Sequence, residues 1–188
     1  MNLPNQLTLL RIAFSFLLIV CLLTPGFAAK LAACFVFAAA ALTDLWDGRL
    51  ARSKGLVTDF GVLMDPIADK ILVLSAFLAF VQLNLVPAWM VVAIASREFL
   101  VTGLRLFALG KGHVLPAEAA GKHKTVSQMV AISLILIFVA VREANPGAAH
   151  PMGLGAAGIW WLMLLTVILT LISGITFLWK HRKLILSL

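Results

Sequence analysis

The sequence contains few charged residues and very few acidic ones. Of its 188 residues, 12% are charged, eight are Asp or Glu, and 62% are hydrophobic. The mean hydropathy is +1.06. A soluble domain is roughly one-quarter charged. The shortage of charge therefore disfavours a soluble globular protein and indicates a membrane protein, with residues 1–188 forming one domain.

Cysteine is also scarce, and a cleavable leader is not evident. Cys21 and Cys34 both lie in apolar runs. Two thiols make no disulfide framework, so we interpret them as small core residues. The apolar N-terminal run carries one positive charge, Arg11, inside it and shows no clear small-residue cleavage site. We interpret it as a retained helix rather than a signal peptide.

Long apolar runs are what the sequence has in abundance. Six of them are separated by short stretches rich in glycine, proline or polar residues. Most are close to the roughly 20 residues that cross a bilayer as a helix. We therefore predict an all-α integral membrane protein with six transmembrane helices. The runs cover about 8–24, 29–53, 60–83, 87–110, 118–141 and 157–180.

Basic residues outnumber acids, and the formal net charge is +7. In an apolar chain this indicates contact with anionic lipid headgroups in a bilayer rather than with nucleic acid. With a cytoplasmic N-terminus, ten basic residues face the cytoplasm and two, Lys30 and Arg142, face the other side. We predict a multi-pass protein of the cell (inner) membrane with both termini cytoplasmic. The ten are Arg49, Arg52, Lys54, Arg105, Lys111, Lys122, Lys124, Lys180, Arg182 and Lys183.

The acids are concentrated in one stretch, since five of the eight lie between Thr43 and Lys70. Asp44 and Asp47 are spaced i, i+3, and Asp65 and Asp69 are spaced i, i+4, so each pair shares one face of a helix. The two helices are joined by a turn centred near residues 55–56. An antiparallel hairpin there would bring all four carboxylates to a similar depth, near the cytoplasmic edge of the membrane.

Four converging carboxylates need a cationic partner. Each aspartate costs roughly 2.5–3.5 kcal/mol at the centre of a membrane helix, and mutual repulsion adds to that cost. One lysine or arginine cannot neutralise all four, whereas divalent cations can, and oxygen ligands suit Mg²⁺ or Mn²⁺. We therefore predict a metal site on Asp44, Asp47, Asp65 and Asp69. The alternative is a solvent-exposed loop whose acidic residues share no function.

Small residues accompany the acids. Gly48 and Ala51 lie one turn beyond the first pair, and Gly61 lies one turn before Asp65. Small side chains allow a ligand to approach the backbone closely, although ordinary tight helix packing would use them as well. Arg52 follows on the same side, where its guanidinium could bind a phosphate through two hydrogen bonds.

The spacing of Asp44, Asp47-Gly48, Ala51-Arg52, Gly61, Asp65 and Asp69 resembles the signature of the CDP-alcohol phosphatidyltransferases at every fixed position. The segment "LPNQLTLLR" resembles the N-terminal juxtamembrane segment of that family. The segments "SREFLVTGLR" and "GKHKTVSQM" are similar to those of its bacterial phosphatidylglycerophosphate synthases. The resemblance therefore extends over nearly the whole chain.

The resemblance implies an activity and its partners. The donor would be CDP-diacylglycerol, the acceptor sn-glycerol 3-phosphate, and the products phosphatidylglycerophosphate and CMP. Two divalent cations, Mg²⁺ or Mn²⁺, would bind the donor's diphosphate, with Asp69 as the general base for the acceptor hydroxyl. The resemblance further implies a homodimer with its active site at the cytoplasmic side.

The resemblance also implies which residues contact the donor. Gly48, Arg52 and Thr58 would contact the CDP group, and the segment from Asn5 to Thr8 would close over it. An alternative for Asn5 is that it caps the N-terminus of the first helix.

The acceptor carries its own phosphate and would need a basic pocket. Arg97 lies well inside the fourth run, and its neighbour Glu98, one position along, is expected to point elsewhere. Arg105 is about two turns further on, and Lys122 and Lys124 open the fifth run on the same membrane side. We predict that these four basic residues bind the acceptor phosphate. The alternatives are an ion pair of Arg97 with an aspartate, and lysines that extend to lipid phosphates.

Two other functions fit parts of the pattern. A member of the same family with another acceptor, such as a cardiolipin synthase or an inositol-phosphate phosphatidyltransferase, would carry the same aspartates. A cation transporter would also use acids within the membrane, but such proteins often have repeated halves with broken helices. One acidic cluster accompanied by Gly48, Ala51 and Arg52 favours the enzyme.

Overall fold

The computed structural model describes residues 3–54, 59–112, 119–145 and 152–187, and within these ranges every regular element is an α-helix. This agrees with the all-α prediction and with the number of apolar runs. The helices are α1 (Leu3–Leu23), α2 (Phe27–Lys54), α3 (Asp59–Gln82), α4 (Ala88–Gly110), α5 (Ala119–Ala144) and α6 (Met152–Ser187).

The turns between helices use residues that tolerate the required backbone angles. Gly26, between α1 and α2, has a φ of +105°, and Gly112, just after α4, has a φ of +81°. These left-handed angles favour glycine, which has no Cβ. Asn84 adopts a φ of 56° in the α3–α4 turn, which asparagine tolerates better than most residues. Pro87, with its fixed φ, directly precedes α4.

The N-terminus differs from the predicted arrangement. The expected juxtamembrane segment is continuous with the first apolar run, because both belong to α1, which begins at Leu3. Pro4 falls in the first turn of this helix, where its missing N–H costs no hydrogen bond. Asn5 is therefore inside α1, and the alternative that it caps the helix is wrong.

The helices pack around one main apolar core. α1 lies against both α2 and α3, α5 contacts α2, α3 and α6, and α4 contacts α3 and α6. Large apolar side chains from five of the helices are fully buried between them. This packing fixes the relative positions of α3, α4, α5 and α6, which surround the candidate site. The buried side chains include Phe77, Phe80, Ile94, Ile132 and Met163.

The outer surface of the bundle is also apolar. Phe35, Trp161 and Trp179 are each at least 65% exposed, and many aliphatic side chains are exposed on other helices. Two stretches, His123–Ala144 in α5 and Gly155–Arg182 in α6, are long and apolar enough to cross a membrane. Shorter apolar stretches, Thr8–Leu23 and Phe27–Thr43, lie in α1 and α2. Six membrane crossings remain a prediction.

Candidate active site

A cavity of about 410 Å³ lies between α3, α4 and α5. Most of its polar lining is charged. The cavity brings Asp69, the predicted general base, together with three of the four residues predicted to bind the acceptor phosphate. Its charged lining residues are Asp69, Lys70, Arg97, Glu98, Arg105 and Lys124.

Glu98 is the centre of the charged network in this cavity. The residue is 4% exposed, and its carboxylate forms an ion pair with Lys124. Arg97 Nη1 lies 3.2 Å from Glu98 Oε1, and Lys70 Nζ lies 3.7 Å from Glu98 Oε2. Three cations from three helices therefore meet at one buried carboxylate, which lowers the cost of burying each of them.

The prediction that Glu98 points away from Arg97 is wrong. Consecutive side chains leave a helix about 100° apart, which usually separates them. Here the Arg97 side chain is long enough to reach its neighbour in spite of that separation. The charged groups of Arg97 and Glu98 meet, and both residues line the same cavity. Among the side chains that the structure describes, Arg97 therefore has a carboxylate partner, and this partner is Glu98 of its own helix.

Polar side chains of α5 and α6 extend the network. Gln128 Nε2 lies 3.4 Å from both Glu98 Oε1 and Thr170 Oγ1. Arg97 Nη2 donates a hydrogen bond to Ser173 Oγ at 2.8 Å. All of these groups are at least half-buried. The network thus links α3, α4, α5 and α6, and buried hydrogen-bonded networks restrict the conformations of the side chains that form them.

Arg105 is held by a different contact. Its guanidinium carbon lies 5.1 Å from the centroid of the Phe177 ring, within the range of a cation–π interaction. Phe177 is nearly fully buried on α6. The aromatic face supports the Arg105 stem and guanidinium while the side chain still lines the cavity.

The charges of the cavity lining do not balance. Four cationic side chains face two carboxylates, Asp69 and Glu98, which leaves a surplus of two positive charges. A surplus of positive charge in a partly buried site attracts an anion. A phosphate monoester carries a charge of roughly −1.5 to −2 at pH 7, so it matches this surplus in sign and size.

The aspartates occupy the predicted helices. Asp44 and Asp47 lie on α2, and Asp65 and Asp69 lie on α3, so the i, i+3 and i, i+4 spacings hold on helical backbone. The side chain of Asp69 is half-buried and reaches the cavity. Among the side chains that the structure describes, no three His, Cys, Asp or Glu residues come together.

Several predicted residues fall outside that description. Thr58 lies outside the described residues, and α-helical backbone alone is described for the others. Thr8, by contrast, is described and fully buried in α1. The residues with backbone alone are Asn5, Asp44, Asp47, Gly48, Arg52, Asp65 and Lys122.

The donor set fits a hard divalent cation by its chemistry. All four acids offer carboxylate oxygens, the ligands that Mg²⁺ and Mn²⁺ prefer. Pro66 lies within α3 between two of them. Because proline has no N–H, the carbonyl of Val62 one turn earlier lacks its helical donor.

Sequence reasoning missed Lys70 and Glu98 as lining residues of the cavity, and it missed Ser173 and Gly174 as neighbours of Arg97. Glu98 gave a signal, because it is the one acid in the apolar sequence of α4 and a buried acid needs a partner. The Ser173–Gly174 pair gave a weaker one, since small residues in an apolar helix often mark a close approach of another group. Lys70 gave no sequence signal of its own apart from its position next to Asp69.

The chain is similar to known proteins of one family. The family model described as CDP-alcohol phosphatidyltransferase matches residues 1–179. A Bacillus subtilis (strain 168) protein named CDP-diacylglycerol–glycerol-3-phosphate 3-phosphatidyltransferase is 45% identical, over 72% of this chain and 77% of its own length.

Two further relatives cover more of the chain. A Mycobacterium tuberculosis (strain ATCC 25618 / H37Rv) protein named probable phosphatidylglycerophosphate synthase is 38% identical over 94% of this chain and 79% of its own length. A Rickettsia felis protein with the same name as the Bacillus one is 34% identical over 97% of this chain and 96% of its own length. The chain belongs to the CDP-alcohol phosphatidyltransferase family.

Proposed function

We propose that the protein is a phosphatidylglycerophosphate synthase, which transfers the phosphatidyl group from CDP-diacylglycerol to sn-glycerol 3-phosphate and releases CMP. The observation that carries the choice of acceptor is the cavity with two surplus positive charges beside Asp69. The names of relatives that are 34–45% identical support the same reaction.

The reaction exchanges one phosphorus–oxygen bond for another. A free hydroxyl oxygen of the acceptor bonds to the phosphorus that carries the diacylglycerol. The bond from this phosphorus to the bridging oxygen breaks, and that oxygen leaves with CMP. Asp69 takes the proton of the attacking hydroxyl, which is a general-base role suited to a half-buried carboxylate at the cavity.

The basic side chains would bind and orient the acceptor. Arg97 and Arg105 present guanidinium groups, which match phosphate geometry, and Lys124 presents a point charge. Holding the acceptor phosphate at these groups would leave its hydroxyl end free to face Asp69. Lys122 is the fourth predicted ligand of this phosphate, on the first turn of α5. Orientation of two substrates in one site accounts for much of the rate gain in such transfers.

We further propose that Asp44, Asp47, Asp65 and Asp69 hold two divalent cations, Mg²⁺ or Mn²⁺. Such ions would neutralise the diphosphate and stabilise the leaving CMP. Gly48, Arg52 and Thr58 would contact the CDP group, and the segment from Asn5 to Thr8 would lie over it. The family signature supports these roles.

We propose a multi-pass protein of the cell (inner) membrane with six transmembrane helices, both termini and the active site on the cytoplasmic side. The two long apolar stretches of α5 and α6, the exposed aromatic side chains and the asymmetry of basic residues support this arrangement. A homodimer is proposed on the resemblance to the family.

An acceptor screen tests the function. Purified protein in detergent would be given CDP-diacylglycerol, Mg²⁺ and one acceptor at a time: sn-glycerol 3-phosphate, glycerol, inositol phosphate or phosphatidylglycerol. We expect CMP release with glycerol 3-phosphate, loss of release with EDTA, and recovery with Mg²⁺ or Mn²⁺. Release with phosphatidylglycerol alone would identify a cardiolipin synthase, and turnover that is insensitive to EDTA would contradict the metal site.

A further inference from the structure

We propose that Ser173 and Gly174 of α6 form a seat that positions Arg97 for binding a phosphate in the cavity. The proposal rests on the proposed function, since it assigns positioning residues to the acceptor half of that site. The described lining of the cavity contains neither residue. Their effect on a bound phosphate would therefore be exerted through Arg97.

Gly174 provides the space that the Arg97 stem occupies. A Cβ atom at position 174 would lie 2.8 Å from Arg97 Cγ, 3.4 Å from its Nε and 3.6 Å from its Cδ. The first distance is shorter than carbon–carbon contacts allow, because such atoms are in van der Waals contact at roughly 3.5–4.0 Å. The contact involves the root of the side chain. Any larger residue at 174 would therefore displace the whole arginine and not merely its tip.

Two acceptors hold the other end of the same side chain. Nη2 of Arg97 donates to Ser173 Oγ at 2.8 Å, and Nη1 donates to Glu98 Oε1 at 3.2 Å. These acceptors belong to different helices, α6 and α4. Because the guanidinium is planar and rigid, two contacts at separate nitrogens fix both its position and its plane. The fixed guanidinium belongs to a side chain that lines the cavity.

The surroundings make the seat necessary. Arg97 lines both the charged cavity and an apolar groove of about 280 Å³ between α4 and α6. Leu100, Leu171 and Ile175 also line this groove. A guanidinium that left the seat would have to enter apolar surroundings or rotate within the cavity. Either change would alter the geometry that a phosphate meets, and a displacement of about 1 Å can be costly for a positioned group.

Substitutions on α6 test the seat without touching the cavity lining. Gly174→Ala and Ser173→Ala would each be purified beside Gly158→Ala, a matched control on the same helix where an added Cβ meets no atom within 4 Å. Ala has a higher helix propensity than Gly, so the Gly variants are not expected to weaken α6 through propensity. Ser173→Thr keeps the hydroxyl and serves as the conservative rescue.

We expect Gly174→Ala and Ser173→Ala to weaken binding of inorganic phosphate and of glycerol 3-phosphate about tenfold or more in calorimetry, as for the loss of a charge-assisted hydrogen bond. The KM for glycerol 3-phosphate should rise by a similar factor while the KM for CDP-diacylglycerol stays constant. Ser173→Thr and Gly158→Ala should resemble the unmodified protein.

Three results would overturn the seat: unchanged phosphate affinity in both Ala variants, an equal rise of both KM values, or no phosphate binding by the unmodified protein. Failure of the proposed function is a separate outcome. If the unmodified protein binds inorganic phosphate but does not transfer to glycerol 3-phosphate, the acceptor is wrong. The phosphate affinities of the α6 variants still decide the seat in that case.

Discussion

At the scale of single residues, Glu98 explains how several cations can share one buried site. Without this carboxylate, Lys70, Arg97 and Lys124 would repel one another at a place where water screens them poorly. With it, each cation has a fixed partner, and the cavity still keeps a positive surplus for an anion. Glu98 therefore organises the proposed acceptor half of the site without cancelling its charge.

The aspartates can be separated by function through two variants. Asp69→Asn should lower kcat by roughly 10²–10⁴-fold, the usual contribution of a general base, while most affinity for the CDP donor remains. Asp44→Ala should lose donor and metal affinity as well, because its proposed role is to bind metal. Steady-state kinetics together with calorimetry of CDP binding would measure both effects.

A matched control for these variants is Glu143→Gln. Glu143 is an acid at the end of α5, where its Oε1 accepts a hydrogen bond from the Gly26 N–H at 2.6 Å, far along the chain from both aspartates. Its substitution should leave CDP binding unchanged. Equal loss of CDP affinity in Asp69→Asn and Asp44→Ala would argue that Asp69 acts as a metal ligand and not as the base.

At the scale of elements, α2 caps the end of α1. Lys30 is 5% exposed, and its Nζ donates to the carbonyl oxygens of Leu22 and Thr24, at 2.5 and 2.7 Å. Leu22 lies in the last turn of α1, where carbonyls have no intrahelical donors, and Thr24 directly follows the helix. A buried cation there also matches the negative end of the helix dipole. The contact fixes how α1 turns into α2.

Replacing that cation should weaken the turn. Lys30→Met keeps a similar length but leaves buried carbonyl oxygens without their donor, so it should lower the free energy of unfolding by about 1.5–3 kcal/mol. Thermal unfolding in detergent would report this as a lower Tm. Arg142→Met, an exposed basic residue at the end of α5, is the control and should change little. Equal Tm values for the two variants would contradict the capping role.

At the scale of the whole molecule, the arrangement of polar and apolar surface supports the proposed membrane location. The charged cavity lies between α3, α4 and α5, while large apolar side chains cover much of the outside. In water such an exterior would be an aggregation hazard, whereas acyl chains would accommodate it. The proposed membrane orientation follows from the basic residues and is open to direct measurement.

Labelling of single cysteines would test the orientation. After replacement of Cys21 and Cys34, which are free thiols, a cysteine would be introduced at Lys111 or at Asn145, both of which are exposed. In intact cells a membrane-impermeant maleimide should label Asn145→Cys but should reach Lys111→Cys only after permeabilisation. Labelling of both positions without permeabilisation would contradict the proposed number or direction of crossings.

The sequence by itself determined the helices and the family signature. Apolar runs of nearly bilayer length, broken by residues such as Gly26 and Pro87, predict α-helices because the pattern and the breaks are both local properties. In the described part of the chain, α2 to α5 match their runs to within about three residues, whereas α1 begins earlier than its run and α6 extends beyond its run at both ends. The aspartate spacing is likewise local, so Asp44, Asp47, Asp65 and Asp69 could be recognised from sequence.

Only the tertiary structure decided which partners the cavity residues have. Arg97 meets Ser173, 76 positions away, and Lys124 meets Glu98, 26 positions away, because α4, α5 and α6 pack together. The i, i+3 and i, i+4 spacing rules describe neighbours within one helix, so they do not predict contacts between helices. The error over Glu98 has the same origin: helical spacing fixes where a side chain starts, whereas a long, flexible side chain ends where the surrounding helices place its charge.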